Sequence, residues 1–128
     1  MWTQGKAYEF AITEYASGAF VGSAGLNQLN EEYKMANLGY WVRRSKMGRG
    51  YAPAATRLLA RFGFERLGLI RIEVVVAVGN VPSQRSAEKA GAHREGVLRS
   101  RLVLHGKARD AVMYSFVPSD FESPLAKT

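Results

Sequence analysis

The stretch Met-Gly-Arg-Gly-Tyr-Ala at residues 47–52 lies between two runs of different character, and it decides how the rest of the chain is interpreted. The apolar run before it, residues 36–42, is typical of a β-strand, whereas the run that begins at Tyr51 has helical spacing. A glycine-rich turn that leads into a helix directs backbone N–H groups and the positive end of the helix dipole towards one point. The stretch therefore predicts a site for a phosphate or pyrophosphate group.

The composition predicts one globular domain over residues 1–128. The hydrophobic share of 47% and the charged share of 23% are typical of soluble proteins. No apolar run approaches the roughly 20 residues that span a bilayer, and the first residues do not resemble a signal peptide, so no membrane partner is predicted. The chain has no Cys and only two His, which argues against disulfides and metal sites. We therefore predict no metal ligand and a cytoplasmic location.

The net charge of +7 favours anionic partners, such as a phosphorylated cofactor, an acidic protein or a nucleic acid. The densest group of cations is Arg43, Arg44, Lys46 and Arg49, beside the glycine turn. This group suits a dedicated anion site and a plain solvated surface about equally. Because the sequence has no aromatic-basic motif of the RNA-binding type, a nucleic acid is the less favoured partner.

Hydrophobic periodicity predicts the order strand, strand, strand, helix, strand, helix, strand, strand. The predicted strands cover residues 7–15, 19–29, 36–43, 69–78, 97–104 and 109–117, and the predicted helices cover residues 51–67 and 80–90. This order indicates a mixed α/β domain whose sheet is antiparallel at both ends. The tail from Pro118 is predicted to be frayed.

Three details of these elements bear on packing. Residues 74–78 are apolar throughout, which predicts a central strand that is covered on both faces. Asn80 is predicted to cap the second helix, with Pro82 in its first turn. The predicted core face of the first helix consists of Ala55, Leu58, Leu59 and Phe62.

Several blocks of sequence carry a family resemblance. They are Leu-Gly-Tyr-Trp-Val at residues 38–42, the stretch at residues 47–52, Asn-Val-Pro-Ser at residues 80–83, Glu-Lys-Ala-Gly at residues 88–91 and Glu-Gly at residues 95–96. In this order and spacing the chain resembles the GNAT acyltransferases, which use acetyl-coenzyme A, and it is closest to the RimJ/RimL-type N-terminal acetyltransferase branch. The resemblance implies an α/β (α+β) GNAT fold, a mixed and mostly antiparallel sheet with helices on its faces. Two neighbouring strands of that fold splay apart to hold the pantetheine arm.

The resemblance also implies a cofactor site for acetyl-coenzyme A. Residues 47–52 match the pyrophosphate loop of the family, although Met47 stands where Gln or Arg is usual. A backbone N–H near Val42 would stabilise the oxyanion that develops on the thioester. The implied cofactor-binding residues are Trp41, Val42, Met47, Gly48, Arg49, Gly50, Tyr51, Ala52, Asn80 and Ser86. Ser86 and Lys89 are equally compatible with plain solvent exposure, and the side chains of Tyr40 and Trp41 are otherwise predicted to be core or sheet-face aromatics.

The implied reaction needs a proton for the departing thiolate and a base for the amine. Many family members supply the proton from a Tyr on the last helix, but Ala87 stands at the matching position. The RimL-like branch has a Ser at the start of that helix, and Ser83 matches it, either as the catalytic hydroxyl or as a simple capping residue. The position of the expected carboxylate base is Leu102, so the base stays open among Glu9, Glu14, Glu31, Glu32, Glu95 and bulk water.

The chain also departs from the family pattern at its N-terminal end, where a strand and two helices are expected to be missing. An exposed sheet edge and apolar surface would then favour a homodimer. The leading functional hypothesis is an N-acetyltransferase that acts on a primary amine, such as a protein N-terminus or a small amine. The alternatives are a catalytically impaired coenzyme A-binding fragment and a small basic nucleic-acid-binding domain.

Overall fold

The computed structural model describes residues 7–122, which form six β-strands, two α-helices and two short 3-10 turns. The strands are β1 (Tyr8–Thr13), β2 (Phe20–Asn30), β3 (Met35–Val42), β4 (Arg71–Ala77), β5 (His93–Leu104) and β6 (Lys107–Phe116). The helices are α1 (Tyr51–Leu67) and α2 (Val81–Lys89), and the 3-10 turns are Arg44–Lys46 and Pro118–Phe121. The predicted order of strands and helices is confirmed, and β5 begins four residues earlier than predicted.

The six strands form one sheet in the order β1-β2-β3-β4-β6-β5, and every neighbouring pair is antiparallel except β3 with β4. The parallel pair is short, since only Met35, Ala36 and Asn37 of β3 have partners on β4. Beyond those residues the two strands diverge, as the family resemblance implied. The sheet is therefore antiparallel at both ends and split near its centre.

The core lies between the sheet and the two helices. On β4, the side chains of Ile72, Val74 and Val76 point into it and are at most 4% exposed. Glu73 and Val75 alternate with them and are only partly buried, since no helix among residues 7–122 covers their face of the sheet. The prediction of a central strand is confirmed, but the prediction of cover on both faces is wrong. Valine favours a strand whether or not both faces are covered, so the apolar run overstated the burial.

Helix α1 packs on the sheet through its smallest residues, and its predicted bounds are confirmed. Ala60 is fully buried, and a Cβ added at Gly63 would lie 2.8 Å from the Ile72 side chain. This close approach sets the rotation of the helix about its axis. Leu58, which we predicted in the core face, is 70% exposed as a result.

The segment that follows β6 packs back onto α1. Phe121 contacts the ring of Phe116, and the Arg57 guanidinium lies 4.5 Å from the centre of the Phe121 ring. This geometry is a cation–π contact, and it holds the chain in place as far as Glu122. The prediction of a tail frayed from Pro118 is therefore wrong for residues 118–122, and residues 123–128 lie outside the described part.

Strands β5 and β6 extend past the rest of the sheet as a two-stranded ribbon. Strand β6 pairs with β4 only from Ala111 to Phe116, and β5 pairs with that part of β6 as far as Leu98, so residues 99–110 contact mainly each other. His105 and Gly106 form the connecting turn with left-handed φ angles of 52° and 75°. The ribbon is exposed on both faces, and Val103 is 72% exposed.

Candidate active site

A cleft of about 420 Å³ opens where β3 and β4 diverge. It lies between the end of β3, the loop before α1, the first turn of α1 and one side of α2 along its length. Its walls are formed by Tyr40, Trp41, Val42, Lys46, Met47, Gly48, Gly50, Tyr51, Ala52, Pro53, Asn80, Pro82, Ser83, Arg85, Ser86 and Lys89.

The N-terminus of α1 is open towards this cleft. Its N-cap is Gly50, with a left-handed φ of 82°, and Gly48 before it has a φ of 77°. A Cβ added at either glycine would meet no heavy atom within 4 Å, so the space in front of the helix is free. No side chain in the described part of the chain caps α1, and its first backbone hydrogen bond runs from Ala54 to Gly50. The N–H groups of Tyr51 and Ala52 are thus available to an external acceptor, since Pro53 has none and that of Ala54 is bonded to Gly50.

Glu14 anchors the loop in front of α1 to the turn between β1 and β2. Its Oε2 accepts hydrogen bonds from the Tyr51 hydroxyl at 2.6 Å and the Lys46 ammonium at 2.9 Å, and its Oε1 accepts one from Ser17 at 2.7 Å. The bonds from Tyr51, Ser17 and Lys46 lower the pKa of Glu14 from 4.5 to about 2, and the carboxylate raises the pKa of Tyr51. A carboxylate with so low a pKa is a weak proton acceptor, so Glu14 is a poor candidate for the general base.

Glu95 is equally unsuited to act as a base. Arg71 binds both of its carboxylate oxygens, at 2.8 and 2.6 Å, and Ser115 donates a further hydrogen bond at 2.7 Å. The bonds from Arg71 and Ser115 lower the pKa of Glu95 to about 2. None of the five carboxylates considered from the sequence lines the cleft.

The N-terminus of α2 differs from that of α1 because a side chain caps it. Asn80 Oδ1 accepts a hydrogen bond from the Ser83 backbone N–H at 3.2 Å, which confirms the predicted N-cap. The Ser83 hydroxyl lies 2.7 Å from the Tyr40 hydroxyl, so β3 and α2 are joined across the cleft. Tyr40 was not among the predicted site residues. A buried Tyr usually finds a partner for its hydroxyl, but nothing in the sequence identifies a partner 43 positions away.

The structure brings most of the sequence-predicted site residues together. Ten of the eleven line the cleft, and the exception is Arg49. Its side chain is 56% exposed and lies 3.9 Å from Glu14. Ala87 is fully buried in the core, so the hydroxyls on the cleft side of α2 are those of Ser83 and Ser86, and the Ser83 hydroxyl is the one that pairs with Tyr40.

The cleft has a cationic lining. Lys46, Arg85 and Lys89 contribute to its walls, and no Asp or Glu among residues 7–122 does. Sequence reasoning missed Arg85, since a lone Arg in a helix is usually solvated. Among the residues that the structure describes, no group of three or more His, Cys, Asp or Glu side chains could hold a metal ion. No helix in the same part of the chain is long and apolar enough to cross a membrane.

Comparison with known sequences identifies relatives of the chain. A sequence profile of the acetyltransferase (GNAT) domain matches residues 1–93. The Bacillus subtilis protein named "Putative ribosomal N-acetyltransferase YdaF" is 34% identical over 105 residues, which cover 82% of this chain and 57% of that protein. The Bacillus licheniformis protein named "Uncharacterized N-acetyltransferase p20" is 30% identical over 118 residues, which cover 92% of this chain and 66% of that protein. The chain thus spans between about half and two thirds of the length of these relatives.

Solved structures show the same architecture. A "putative ribosomal-protein-serine acetyltransferase" from Vibrio cholerae has a TM-score of 0.79 at 35% identity, over 88% of this chain and 65% of that one. The spermidine/spermine N-acetyltransferase SpeG from Vibrio cholerae has a TM-score of 0.79 at 21% identity, over 95% of this chain and 69% of that one, and shares the fold. The predicted fold class is therefore confirmed. On the domain match and these relatives, the chain belongs to the GNAT acetyltransferase family.

Proposed function

We propose that the protein is an N-acetyltransferase that transfers the acetyl group of acetyl-coenzyme A to a primary amine. The observation that carries the proposal is the cleft itself. An uncapped, glycine-fronted helix N-terminus faces a gap between two diverging strands, and among residues 7–122 the lining of that gap carries three cationic side chains and no carboxylate.

The residues of the cleft fit the chemical parts of acetyl-coenzyme A. The free N–H groups at the start of α1 and the bare backbone of Gly48 and Gly50 suit the pyrophosphate. Arg85 and Lys89 add positive charge to the same cleft, whereas the charge of Lys46 is balanced by Glu14. The edge of residues 38–42 that faces β4 has no strand partner within residues 7–122, and it suits the amide-containing pantetheine arm, which can bind there like an added strand.

In this reaction acetyl-coenzyme A supplies an activated acyl group. The backbone N–H near Val42 would polarise the thioester carbonyl, and Ser83 would donate a proton to the sulfur. Asn80 would hold Ser83 in position through the N-cap hydrogen bond. Trp41, Met47, Tyr51, Ala52 and Ser86 would complete the cofactor site.

The acceptor that we favour is a peptide N-terminus. No carboxylate within the described residues lines the cleft, so the amine has to arrive largely without its proton. An α-amino group has a pKa near 8 and a lysine-type amine has one near 10.4, so at neutral pH the α-amine is deprotonated roughly 200-fold more often. The relatives whose names mention a ribosomal substrate, at 34% and 35% identity, also favour this acceptor class.

The test combines binding with turnover. Acetyl-coenzyme A should release heat in calorimetry and raise the melting temperature, because a ligand that binds only the folded state stabilises it. Thiol release should then be fastest with an unblocked peptide that lacks Lys, slower with a small polyamine, and slowest with an Nα-acetylated peptide that contains one Lys. If acetyl-coenzyme A releases no heat and leaves the melting temperature unchanged, the proposal is contradicted.

A second candidate is a coenzyme A-binding module without turnover. It is favoured by the lack of a carboxylate in the cleft and by the burial of Ala87 where many family members carry a Tyr. Binding without thiol release on any acceptor would support it. Measurable turnover would exclude it.

We further propose that the protein forms a homodimer and acts in the cytoplasm. Residues 99–110 form a ribbon of two strands, which is marginally stable alone in water. Its apolar side chains are exposed, at 72% for Val103 and 40% for Leu104, and a second copy would cover them. Sedimentation velocity over a range of concentrations tests this, and a monomer throughout would contradict it.

A further inference from the structure

The hydroxyl pair of Tyr40 and Ser83 is the feature of the cleft that the proposed binding mode leaves unexplained. Tyr40 lies on β3 and Ser83 in the first turn of α2, and both line the cleft. Their hydroxyl oxygens are 2.7 Å apart, an ordinary distance for a well-formed O–H···O hydrogen bond. The Tyr40 hydroxyl also lies 3.3 Å from the Ser83 carbonyl oxygen.

The pair differs from the other tyrosine hydrogen bonds near it. The hydroxyl of Tyr51 donates to Glu14, and the hydroxyl of Tyr114 donates to Glu88, each at 2.6 Å. A carboxylate partner makes a phenol harder to ionise: the pKa of Tyr51 is raised, and burial together with the bond to Glu88 raises the pKa of Tyr114 to about 12. The hydrogen-bond partners of Tyr40 are the hydroxyl and the carbonyl of Ser83, and neither carries a charge.

The direction of this hydrogen bond decides what Ser83 can do. The phenol has one proton and two acceptors, at 2.7 and 3.3 Å, and the shorter bond is the stronger one. When Tyr40 donates to Ser83 Oγ, the Ser83 proton is free to point into the cleft. In the reverse direction the serine proton would be used inside the pair.

The acidities of the groups explain why Ser83 needs such a neighbour. A leaving thiolate must take up a proton, and an aliphatic alcohol is a far weaker acid than a thiol. A phenol in water has a pKa near 10 and a thiol one near 8.5, so these two groups exchange a proton with little cost. A serine that is hydrogen-bonded to a tyrosine can pass that proton on.

We propose, on the basis of the function proposed above, that Tyr40 is the positioning residue that orients the Ser83 hydroxyl and replaces the proton that Ser83 gives up. The acceptor nitrogen bonds to the acetyl carbon, the carbon–sulfur bond breaks, and the sulfur keeps the electron pair. Ser83 Oγ gives its proton to the sulfur and takes the proton of Tyr40. The proton that the amine loses returns to Tyr40 through solvent, so the sum is amine plus thioester to amide plus thiol.

Single and double variants test this directly. Tyr40→Phe and Ser83→Ala should each lower kcat on the order of 100-fold, within the range of general acid catalysis, and change the KM for acetyl-coenzyme A little. The double variant should be no slower than the slower single one, because the two hydroxyls act as a unit. Additive losses would mean two independent roles and would overturn the proposal.

A binding measurement gives a second readout that does not depend on turnover. Free coenzyme A is bound to each variant, and ionisation of its thiol is followed by ultraviolet absorbance as the pH rises. The hydroxyl pair should stabilise the bound thiolate, so the pKa of the thiol should be lower on the wild-type protein than on Tyr40→Phe or Ser83→Ala. Equal values on all three proteins would overturn the proposal.

A matched control separates chemistry from lost packing. Tyr114→Phe also removes a hydroxyl that bonds to α2, but its partner Glu88 lies outside the cleft. This variant should lose stability and keep the wild-type kcat and thiol pKa. If the wild-type protein turns over and Tyr40→Phe is equally fast, the role of Tyr40 fails while the proposed function stands. If the wild-type protein binds no acetyl-coenzyme A, both fail.

Discussion

Two helices begin at the same cleft, and within residues 7–122 a side chain caps the N-terminus of only one of them. Helix α1 starts at Gly50 in the left-handed conformation, and no side chain caps it. Helix α2 starts at Asn80, whose side chain accepts the N–H of Ser83. The first terminus keeps its N–H groups free for a ligand, whereas the second uses one of them to hold a hydroxyl in place.

The difference indicates a division of work between binding and chemistry. Gly at an N-cap costs a helix roughly a few tenths of a kcal/mol relative to a capping side chain, so α1 gives up a little stability and keeps its N–H groups open to a ligand. The cations Lys46, Arg85 and Lys89 make an anion the fitting ligand. At α2 the cap fixes the Ser83 backbone, and Tyr40 then fixes its side chain. We therefore expect changes at α1 to act on affinity and changes at α2 to act on rate.

Gly50→Val should have the largest effect, because it closes the open terminus. A β-branched residue strongly disfavours the φ of 82°, and its side chain would fill the space in front of α1. We expect coenzyme A affinity to fall about 100-fold or more, the loss of several charge-assisted hydrogen bonds. Calorimetric titration of the purified variant measures this.

Gly68→Val is the matched control for that substitution. Gly68 ends the same helix with a φ of 68°, and a Cβ added there would also meet no heavy atom within 4 Å. Both variants should lose roughly 1–2 kcal/mol of unfolding free energy from backbone strain. Only Gly50→Val should lose affinity. If Gly50→Val bound coenzyme A as tightly as Gly68→Val does, the glycine turn would have only a structural role.

Asn80→Ala should have an intermediate effect, because it makes the terminus of α2 resemble that of α1. Loss of the cap should lower the free energy of unfolding by about 1 kcal/mol, which urea denaturation measures. With the Ser83 N–H no longer held, kcat should fall more than affinity. Asn80→Asp keeps an oxygen acceptor and should restore both stability and kcat. A defect in binding that remains in Asn80→Asp would instead indicate that the amide contacts the cofactor.

The sequence predicted both helix starts because caps and turns depend on residues within a few positions. Gly50 and Asn80 are the signals, and the bounds of α1 follow from Gly50 and Gly68. The family resemblance predicted the fold itself, including the divergence of β3 from β4. These features need no knowledge of which distant side chains meet.

Tertiary contacts account for what the sequence did not predict. Tyr40 meets Ser83 across 43 positions, and Glu14 meets Tyr51 across 37, so no local pattern reveals either contact. The exposure of Leu58 follows from the close approach of Gly63 to the sheet, which rotates α1. Periodicity predicts that a helix has a core face, but the packing decides which residues occupy it.

Glu14→Gln should have the smallest effect, and it tests whether the open terminus needs its anchor. The loop in front of α1 is tied to β1 through Glu14, and this carboxylate has a pKa of about 2 against an ordinary 4.5. A lowered pKa means that the group stabilises the fold above about pH 4.5, and that this stabilisation is lost as the pH falls towards about 2. The variant should be less stable at neutral pH and show a shallower loss of stability over that window.

Glu95→Gln is the control that separates a loss of stability from a loss of cofactor binding. The pKa of Glu95 is also about 2, because Arg71 and Ser115 hold the carboxylate in its charged form, so its stability contribution disappears over the same pH window. Neither Glu95 nor its hydrogen-bond partners Arg71 and Ser115 line the cleft. Acid unfolding curves of the two variants should therefore be alike, while only Glu14→Gln should weaken coenzyme A binding, by no more than about fivefold, because Glu14 does not line the cleft and acts only through Lys46 and Tyr51. Equal affinity in the two variants would mean that the glycine turn holds its shape alone, and that the open terminus of α1 owes its geometry to residues 48–50 rather than to the carboxylate behind them.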